Sequence, residues 1–271
     1  MLQFNIHPSP SPDVVVAQYD GLAFPKFRPL FENPPESSPW HYLALDPEEA
    51  PFAVVLENQS EKAITALRYR FVIADESGRK RTHTLSGDSY MVDVYRPIVE
   101  PRSRQVITPS GRMNETLMDH VLAGGGFVKM RTSGSSLRTS GSSLAGIAEM
   151  TFEIDFVLFK DGEFAGADPD RYGLALQCRK RAAEFIAKQI RSAMSEGRDV
   201  TPVLQALAEV PSFGGLGRGQ GDPLVHWTKH YAQEYLRAMS RKTGTFDRRE
   251  AQLRHLENRP DLPKFYRRPQ R

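Results

Sequence analysis

The sequence predicts a mainly β protein with an α-helical extension, in which an antiparallel β-sandwich is followed by C-terminal helices. Three observations support this fold class. Hydrophobic residues recur with a period of two between residues 52 and 164, as they do in half-buried strands, and turn residues separate these short runs. After residue 166 the period becomes 3.6, which is typical of helices. A proline-rich segment precedes both regions.

Residues 1–51 form the predicted Pro-rich extended arm. Proline fixes φ and lacks a backbone N–H group, so prolines at this density exclude a regular helix or a central strand. The arm is nevertheless more apolar than a solvated tail, with Val14, Val15 and Val16 followed by Phe24 and Trp40. We therefore expect much of the arm to lie on the folded body.

The predicted sandwich domain spans residues 52–166. Its clearest strands lie at 52–56, 65–73 and 151–159, and an Asp161-Gly162 turn of hairpin type follows the last of them. Weaker strands are predicted at 79–85, 89–95, 104–108 and 126–130. One short helix is predicted at 115–123, with Asn114 as its cap. The tandem repeat RTSGSSL at 131–144 predicts a flexible surface loop.

The predicted helical region spans residues 167–258. Asp168 and Pro169 are expected to begin its first helix, which ends near Gly197. The apolar stripe of this helix consists of Tyr172, Leu176, Ala183, Ile186, Ile190 and Met194. Further helices are predicted at 201–210, 222–242 and 246–258. A Gly-rich linker occupies 212–221, and residues 259–271 form a basic tail.

Two segments carry a resemblance to other proteins: LENQSEKAITA at 56–66, and FKDGEFAGAD at 159–168 followed by a charged helix. Over residues 52–195 the chain resembles a group of uncharacterised bacterial proteins with an immunoglobulin-like sandwich and a helical C-terminal region. The resemblance implies an immunoglobulin-like fold for the sandwich. It implies no activity, cofactor or catalytic residue.

Composition excludes several classes of protein. A single cysteine among 271 residues rules out an internal disulfide framework and a cysteine-based zinc site. No apolar stretch reaches the roughly 18 residues of a membrane span. The N-terminus has neither the basic nor the apolar region of a signal peptide, so we expect a cytoplasmic protein. No cofactor is predicted, because the Gly-rich run at 212–221 lacks the context of a phosphate-binding loop.

Positive charge is concentrated at the C-terminal end. The net charge is only +3, but residues 223–271 hold 12 basic and 5 acidic residues. Such a segment is able to bind nucleic acid or another polyanion, with Phe265 or Tyr266 stacking on a base. The candidate polyanion-binding residues are Lys229, Arg237, Arg241, Lys242, Arg248, Arg249, Lys264, Arg267 and Arg268.

A candidate metal site lies on the third predicted helix. His226, His230 and Glu234 follow one another at intervals of four residues, and two imidazoles so placed can share a zinc ion. Metalloproteases of this pattern need a glutamate directly after the first histidine, where this chain has Trp227. We expect both histidines on a basic, solvated face, opposite the apolar face formed by Leu224, Trp227, Tyr231, Tyr235 and Met239.

These patterns favour a non-enzymatic binding or scaffolding module whose partner is another protein. The predicted sandwich offers surfaces rather than an acid–base cluster, and Cys178 is expected to be a packing residue within a helix. Polyanion binding through the basic C-terminal helices is the first alternative, which leaves nucleic acid as a partner. A metal-dependent enzyme is the second.

Overall fold

A computed structural model describes residues 3–30, 47–91, 97–109, 112–114, 147–167, 171–210, 222–240, 248–258 and 261–267. The chain divides into two compact units. The sheet unit comprises Met1–Ser89, Arg96–Ala167 and Lys264–Arg271, and the helical unit comprises Tyr90–Tyr95 and Asp168–Pro263. The last eight residues of the chain therefore belong to the sheet unit, although the whole helical region precedes them.

The sheet unit contains two sheets. The first sheet consists of β1 (Gln3–Ile6), β4 (Ile64–Asp75), β5 (Lys80–Asp88), β8 (Ile147–Phe159) and β9 (Phe164–Gly166). Its order is β1-β8-β4-β5, with β9 also paired to β8. The second sheet consists of β2 (Val14–Gln18), β3 (Val54–Asn58), β6 (Arg104–Ile107) and β7 (Arg112–Asn114), in the order β2-β3-β6-β7.

The prediction of antiparallel pairing is correct for the second sheet and wrong for part of the first. Strand β1 runs parallel to β8, with Gln3 opposite Glu149 and Ile6 opposite Phe152, so the first sheet is mixed. Alternation along a strand indicates which side chains are buried, but it carries no information on the direction of the neighbouring strand. The proline-rich arm supplies β1 and β2, each at the end of its sheet.

One hydrophobic cluster contains side chains from both sheets. The ring centroids of Phe71 in β4 and Phe152 in β8 lie 5.1 Å apart, and Leu56 and Ile107 of the second sheet are fully buried in the same cluster. Full burial of such a side chain contributes about 1.5–3 kcal/mol. The alternation predicted for 65–73 and 151–159 is therefore confirmed as the main source of this core.

One expectation is wrong, because Ser89–Met91 forms a short 3-10 turn rather than the start of a strand. Asn114 ends β7, and the helix that it was expected to cap falls on residues whose structure is not described. The expected strand at 126–130, the helix at 115–123 and the RTSGSSL repeat lie outside the described residues. Strands at 79–85 and 104–108 are confirmed as β5 and β6.

The helical unit contains the four expected helices. They are α1 (Tyr172–Ser195), α2 (Thr201–Glu209), α3 (Pro223–Ser240) and α4 (Arg248–Glu257). Their shared core includes Ile186 and Ile190 of α1, Leu204 of α2, Tyr235 of α3 and Leu253 of α4. Each of these four described helices lies within a few residues of the bounds predicted from the helical period.

The first helix differs in detail from the expectation. It begins at Tyr172, preceded by Arg171 with a left-handed φ of 52°, while the expected cap at Asp168 and Pro169 lies outside the described residues. Met194 is 55% exposed and does not belong to the buried stripe, because its position falls in the last turn, beyond the core residue Ala193. The Gly-rich linker at 212–221 is outside the described part of the chain.

Candidate functional site

The turn between β8 and β9 is held in one conformation by its own residues. Gly162 has a φ of 93°, which glycine adopts without strain, and the Glu163 N–H group donates to Asp161 Oδ1 at 3.0 Å. Gly166, at the end of β9, has a φ of 103°, and a Cβ atom there would lie 2.3 Å from the Asp155 carbonyl oxygen. The turn thus presents Asp161 and Glu163 in fixed positions.

Lys62 reaches this turn from the loop between β3 and β4. The buried Asn58 side chain holds that loop, because its Nδ2 atom donates to the carbonyl oxygens of Lys62 at 2.7 Å and of Glu100 at 3.0 Å. The Lys160 N–H group donates to the Ala63 carbonyl at 2.9 Å and ties the two loops together. The lysine is therefore brought to the carboxylates by backbone contacts as well as by charge.

Lys62, Asp161 and Glu163 form an ion cluster. Lys62 Nζ lies 2.5 Å from Asp161 Oδ2 and 2.8 Å from Glu163 Oε2, and the Glu163 side chain is only 3% exposed. Hydrogen bonds to Asp161 and then to Glu163 raise the pKa of Lys62 well above its ordinary value. Burial alone would raise the pKa of Asp161, but the hydrogen bonds that it accepts hold that pKa below its usual range.

The C-terminal end of the described chain pairs with β9 through its main chain. We call residues 264–267 the tail segment. The Tyr266 N–H group donates to the Gly162 carbonyl at 2.9 Å, and the Phe164 N–H group donates to the Tyr266 carbonyl at 2.7 Å. Glu163 and Tyr266 are accordingly neighbours in a parallel β-bridge. The tail segment thus pairs with the hairpin at one isolated bridge.

Two side chains of the tail segment contact residues of the β8–β9 hairpin. The Tyr266 hydroxyl donates to Asp161 Oδ2 at 2.8 Å, which raises the pKa of the tyrosine. The Arg267 guanidinium carbon lies 5.8 Å from the ring centroid of Phe164, within the range of a cation–π contact. The Phe164 ring is itself stacked on Phe156 at 5.0 Å. Backbone pairing and side-chain contacts therefore coincide at one place.

We call this place the β9 edge site, defined by Lys62, Asp161, Gly162, Glu163 and Phe164. These five residues carry one cation and two carboxylates, a formal charge of −1, and the exposed Lys160 adjoins them in the same turn. Hydrogen bonds to the two carboxylates raise the pKa of Lys62, which favours its charged form. The site thus combines main-chain groups, three charged side chains and the Phe164 ring.

A second charged group lies on β4 and β8. Arg70 Nε lies 2.6 Å from Glu153 Oε2 and 3.4 Å from Asp155 Oδ1, and Arg68 Nε lies 3.1 Å from Asp155 Oδ2. His7 Nδ1 lies 3.1 Å from the other oxygen of Glu153. Each carboxylate is thus paired with an arginine across the strands, which is the arrangement of a stabilising cross-strand network.

The candidate metal residues His226, His230 and Glu234 all lie on α3. Both histidines are partly buried, with their rings edge-on to Trp227 at 5.3 Å, whereas a solvated face was expected. Burial lowers the pKa of each imidazole. Glu234 Oε1 pairs with Arg237 at 3.1 Å. Within the described ranges, no group of three or more His, Cys, Asp or Glu side chains is placed to hold a metal ion.

The candidate polyanion-binding residues that the structure describes lie on several elements. Lys229 Nζ donates to the Val210 carbonyl at 3.2 Å, Arg237 pairs with Glu234, and Arg267 lies over Phe164. Arg248 and Arg249 begin α4, and Lys264 is exposed in the tail segment. Arg241, Lys242 and Arg268 lie outside the described residues. The basic residues are thus divided between the helical unit and the tail segment.

Cys178 lies in α1 with a buried side chain. Burial raises the pKa of its thiol and outweighs the lowering effect of the neighbouring Arg181.

Sequence reasoning did not identify Lys62 or Glu163 as functional residues, because their pairing depends on two turns about 100 positions apart. Two signals were present. One is the Asp161-Gly162 hairpin turn. The other is the pair Phe265-Tyr266 within a basic tail, which was considered for base stacking under the polyanion alternative. In the structure, the Tyr266 hydroxyl bonds to Asp161 of the β9 edge site.

No protein-family model matches the chain, and neither a curated protein nor a solved structure matches it. Among the residues that the structure describes, no helix is long and apolar enough to cross a membrane.

Proposed function

We propose that this protein is a non-enzymatic binding module, built on an immunoglobulin-like sandwich with a helical extension, that takes up extended peptide segments at the β9 edge site. The observation that carries the proposal is the docking of Tyr266, whose N–H and carbonyl groups both bond to the β8–β9 hairpin. Addition of a strand in this way is a common mode of peptide recognition. In this mode of recognition, main-chain hydrogen bonds supply the affinity and side-chain contacts supply the specificity.

The energetics of the tail segment favour an exchangeable contact. Each backbone hydrogen bond contributes about 1 kcal/mol net. Ordering one residue costs about 1–2 kcal/mol of backbone entropy, so the two main-chain bonds do not hold the segment by themselves. The side chains of Tyr266 and Arg267 therefore decide whether it stays bound. A peptide from a partner that makes the same contacts can then displace the tail segment.

The site also indicates the chemistry of the partner. Its net charge of −1 favours basic segments, and Phe164 offers a ring face to a cation beside the main-chain groups. The partner we propose is a protein with an extended stretch in which an aromatic residue is followed by arginine, as in the tail segment itself. Affinity for such a segment is limited in the free protein, because the tail competes at an effective concentration in about the millimolar range.

Peptide binding to a full-length variant tests this proposal. In the open variant, Tyr266→Ala and Arg267→Ala together remove both side-chain anchors of the tail segment. A fluorescent peptide of residues 261–271 should bind the open variant, as measured by anisotropy, and should bind the wild-type chain more weakly. A scrambled peptide of the same composition is the control for charge.

Two results contradict the proposal. One is the failure of the peptide to bind the open variant. The other is equal binding of the scrambled peptide with a steep salt dependence, because that behaviour indicates non-specific electrostatic attraction. Agreement requires sequence-dependent binding that persists at moderate ionic strength and competes with the tail.

A further inference from the structure

We propose that Asp161 selects tyrosine over phenylalanine in the segment that occupies the β9 edge site, and that the site accepts tyrosine only when its hydroxyl is unmodified. This inference rests on the proposed function and names its partner class. The partner is an extended basic segment in which an unmodified tyrosine precedes an arginine.

The geometry that supports this selection is the fixed orientation of the Asp161 carboxylate. Its Oδ1 atom accepts the Glu163 N–H group at 3.0 Å, and its Oδ2 atom lies 2.5 Å from Lys62 Nζ. The Tyr266 hydroxyl donates to the same Oδ2 atom at 2.8 Å. A carboxylate held in this way is an acceptor only. It therefore accepts a hydrogen bond from the tyrosine hydroxyl, whereas phenylalanine has no group that can donate one.

The charge of the site accounts for the exclusion of a modified tyrosine. A phosphoryl group adds a charge of about −1.5 to −2 at neutral pH and removes the hydroxyl proton. That group would approach Asp161 within a site of net charge −1. Lys62 already bridges Asp161 and the buried Glu163, so the positive charge that it also directs at the Tyr266 hydroxyl is shared with two carboxylates. Phosphorylation or sulfation of the tyrosine should therefore prevent binding.

The positions next to the tyrosine give the rest of the specificity. The Arg267 guanidinium lies over Phe164, so an arginine directly after the tyrosine has a partner on the site. The N–H and carbonyl groups of Tyr266 both bond to the β8–β9 hairpin, and this requires an extended main chain at that residue. A tyrosine within a helix would not fit, because its N–H and carbonyl groups would be used within the helix.

The test compares three peptides of residues 261–271 on the open variant: the natural sequence, one with phenylalanine in place of Tyr266, and one with phosphotyrosine there. We expect the phenylalanine peptide to bind about fivefold more weakly, the size of one exposed hydrogen bond. The phosphotyrosine peptide should show no saturable binding. Equal affinity for tyrosine and phenylalanine, or preserved binding of phosphotyrosine, would overturn the inference.

A substitution in the protein provides a second, independent test. Adding Asp161→Asn to the open variant should reduce the preference for tyrosine to less than about twofold, because the amide is a weaker acceptor. Asp75→Asn is the matched control, since Asp75 also caps a turn, accepting the Ser77 and Arg79 N–H groups at 3.0 Å each. It should leave the preference unchanged. A preference that survives Asp161→Asn contradicts the role of Asp161.

The two proposals fail in distinguishable ways. If none of the three peptides binds the open variant, the β9 edge site is not a peptide site, and both proposals are wrong. If all three bind with the same affinity, peptide binding stands, and only the selection of unmodified tyrosine is refuted. The peptide comparison leaves the Lys62–Asp161–Glu163 cluster unchanged. It therefore remains decisive even if Asp161→Asn impairs folding.

Discussion

Replacement of Lys62 by methionine should destabilise the sheet unit, because it removes the ammonium group that pairs with the buried Glu163 carboxylate. The Lys62 Nζ atom lies 2.8 Å from Glu163 Oε2, and the Glu163 side chain is 3% exposed. A buried carboxylate loses stabilisation when a cation that pairs with it is removed. Asp161, the other carboxylate of the cluster, is 38% exposed and can be solvated when the lysine is absent.

The magnitude follows from the unequal exposure of the two partners. Removing one partner of a fully buried ion pair costs about 3–5 kcal/mol. The Lys62 side chain is 35% exposed, so water screens the pair and partly replaces the lost ammonium group. We therefore expect Lys62→Met to lower the free energy of unfolding of the sheet unit by about 2 kcal/mol.

A double-mutant cycle with Glu163→Gln separates the ion pair from other effects. The coupling energy between positions 62 and 163 should be at least about 1 kcal/mol, because the glutamine variant no longer buries a charge. Lys80→Met, at an exposed position on β5, is the control and should change the stability by less than about 0.5 kcal/mol. Since the chain has two units, the assay is hydrogen exchange of β4 and β8 peptides in increasing urea.

Equal stability of Lys62→Met and Lys80→Met at pH 7 would contradict this prediction. An additive cycle between positions 62 and 163 would contradict it as well.

Three further predictions follow from the described contacts. Gly166→Ala should destabilise the sheet unit by at least about 2 kcal/mol, because its Cβ would lie 2.3 Å from the Asp155 carbonyl oxygen. Gly78→Ala has open space around it and should cost only about 1 kcal/mol. Urea titrations measure the free energy of unfolding of both variants. Burial lowers the pKa of His83 in the folded protein. Its contribution to stability is therefore present above about pH 6.5, the pKa of an unfolded histidine, and is lost as the pH falls towards the lower pKa of the folded state. His83→Gln should flatten the pH dependence of the urea midpoint in that range. Leu253→Ala should destabilise the helical unit by about 2–5 kcal/mol, since the side chain is fully buried, and hydrogen exchange should show the effect in α1 and α4.

The regular elements could be predicted from the sequence where burial imposes a period. Alternation in β4 and β8 and the helical stripes of α1 to α4 reflect one buried face each, and this information is local. The arm strands β1 and β2 are short and lie at the sheet ends, so their sequences show little alternation. Their partners are also distant, since β1 pairs with residues about 145 positions away.

The candidate site depends on information that no local pattern carries. Lys62 and Glu163 meet because two turns lie side by side, and Tyr266 joins them from the end of the chain. The basic composition of residues 223–271 made a polyanion the alternative partner, but composition does not distinguish an external partner from an acidic site on the chain itself. His226 and His230 were expected in solvent for a similar reason, since helical spacing does not show which helices pack nearby.

The most direct test of the β9 edge site is the exchange rate of the Phe164 amide, whose N–H group donates to the Tyr266 carbonyl. Hydrogen exchange should be at least about tenfold faster in the open variant than in the wild-type chain, because the tail segment no longer holds this bond. Adding the peptide of residues 261–271 to the open variant should restore slow exchange. Equal rates in the two proteins, or no effect of the peptide, would contradict the account.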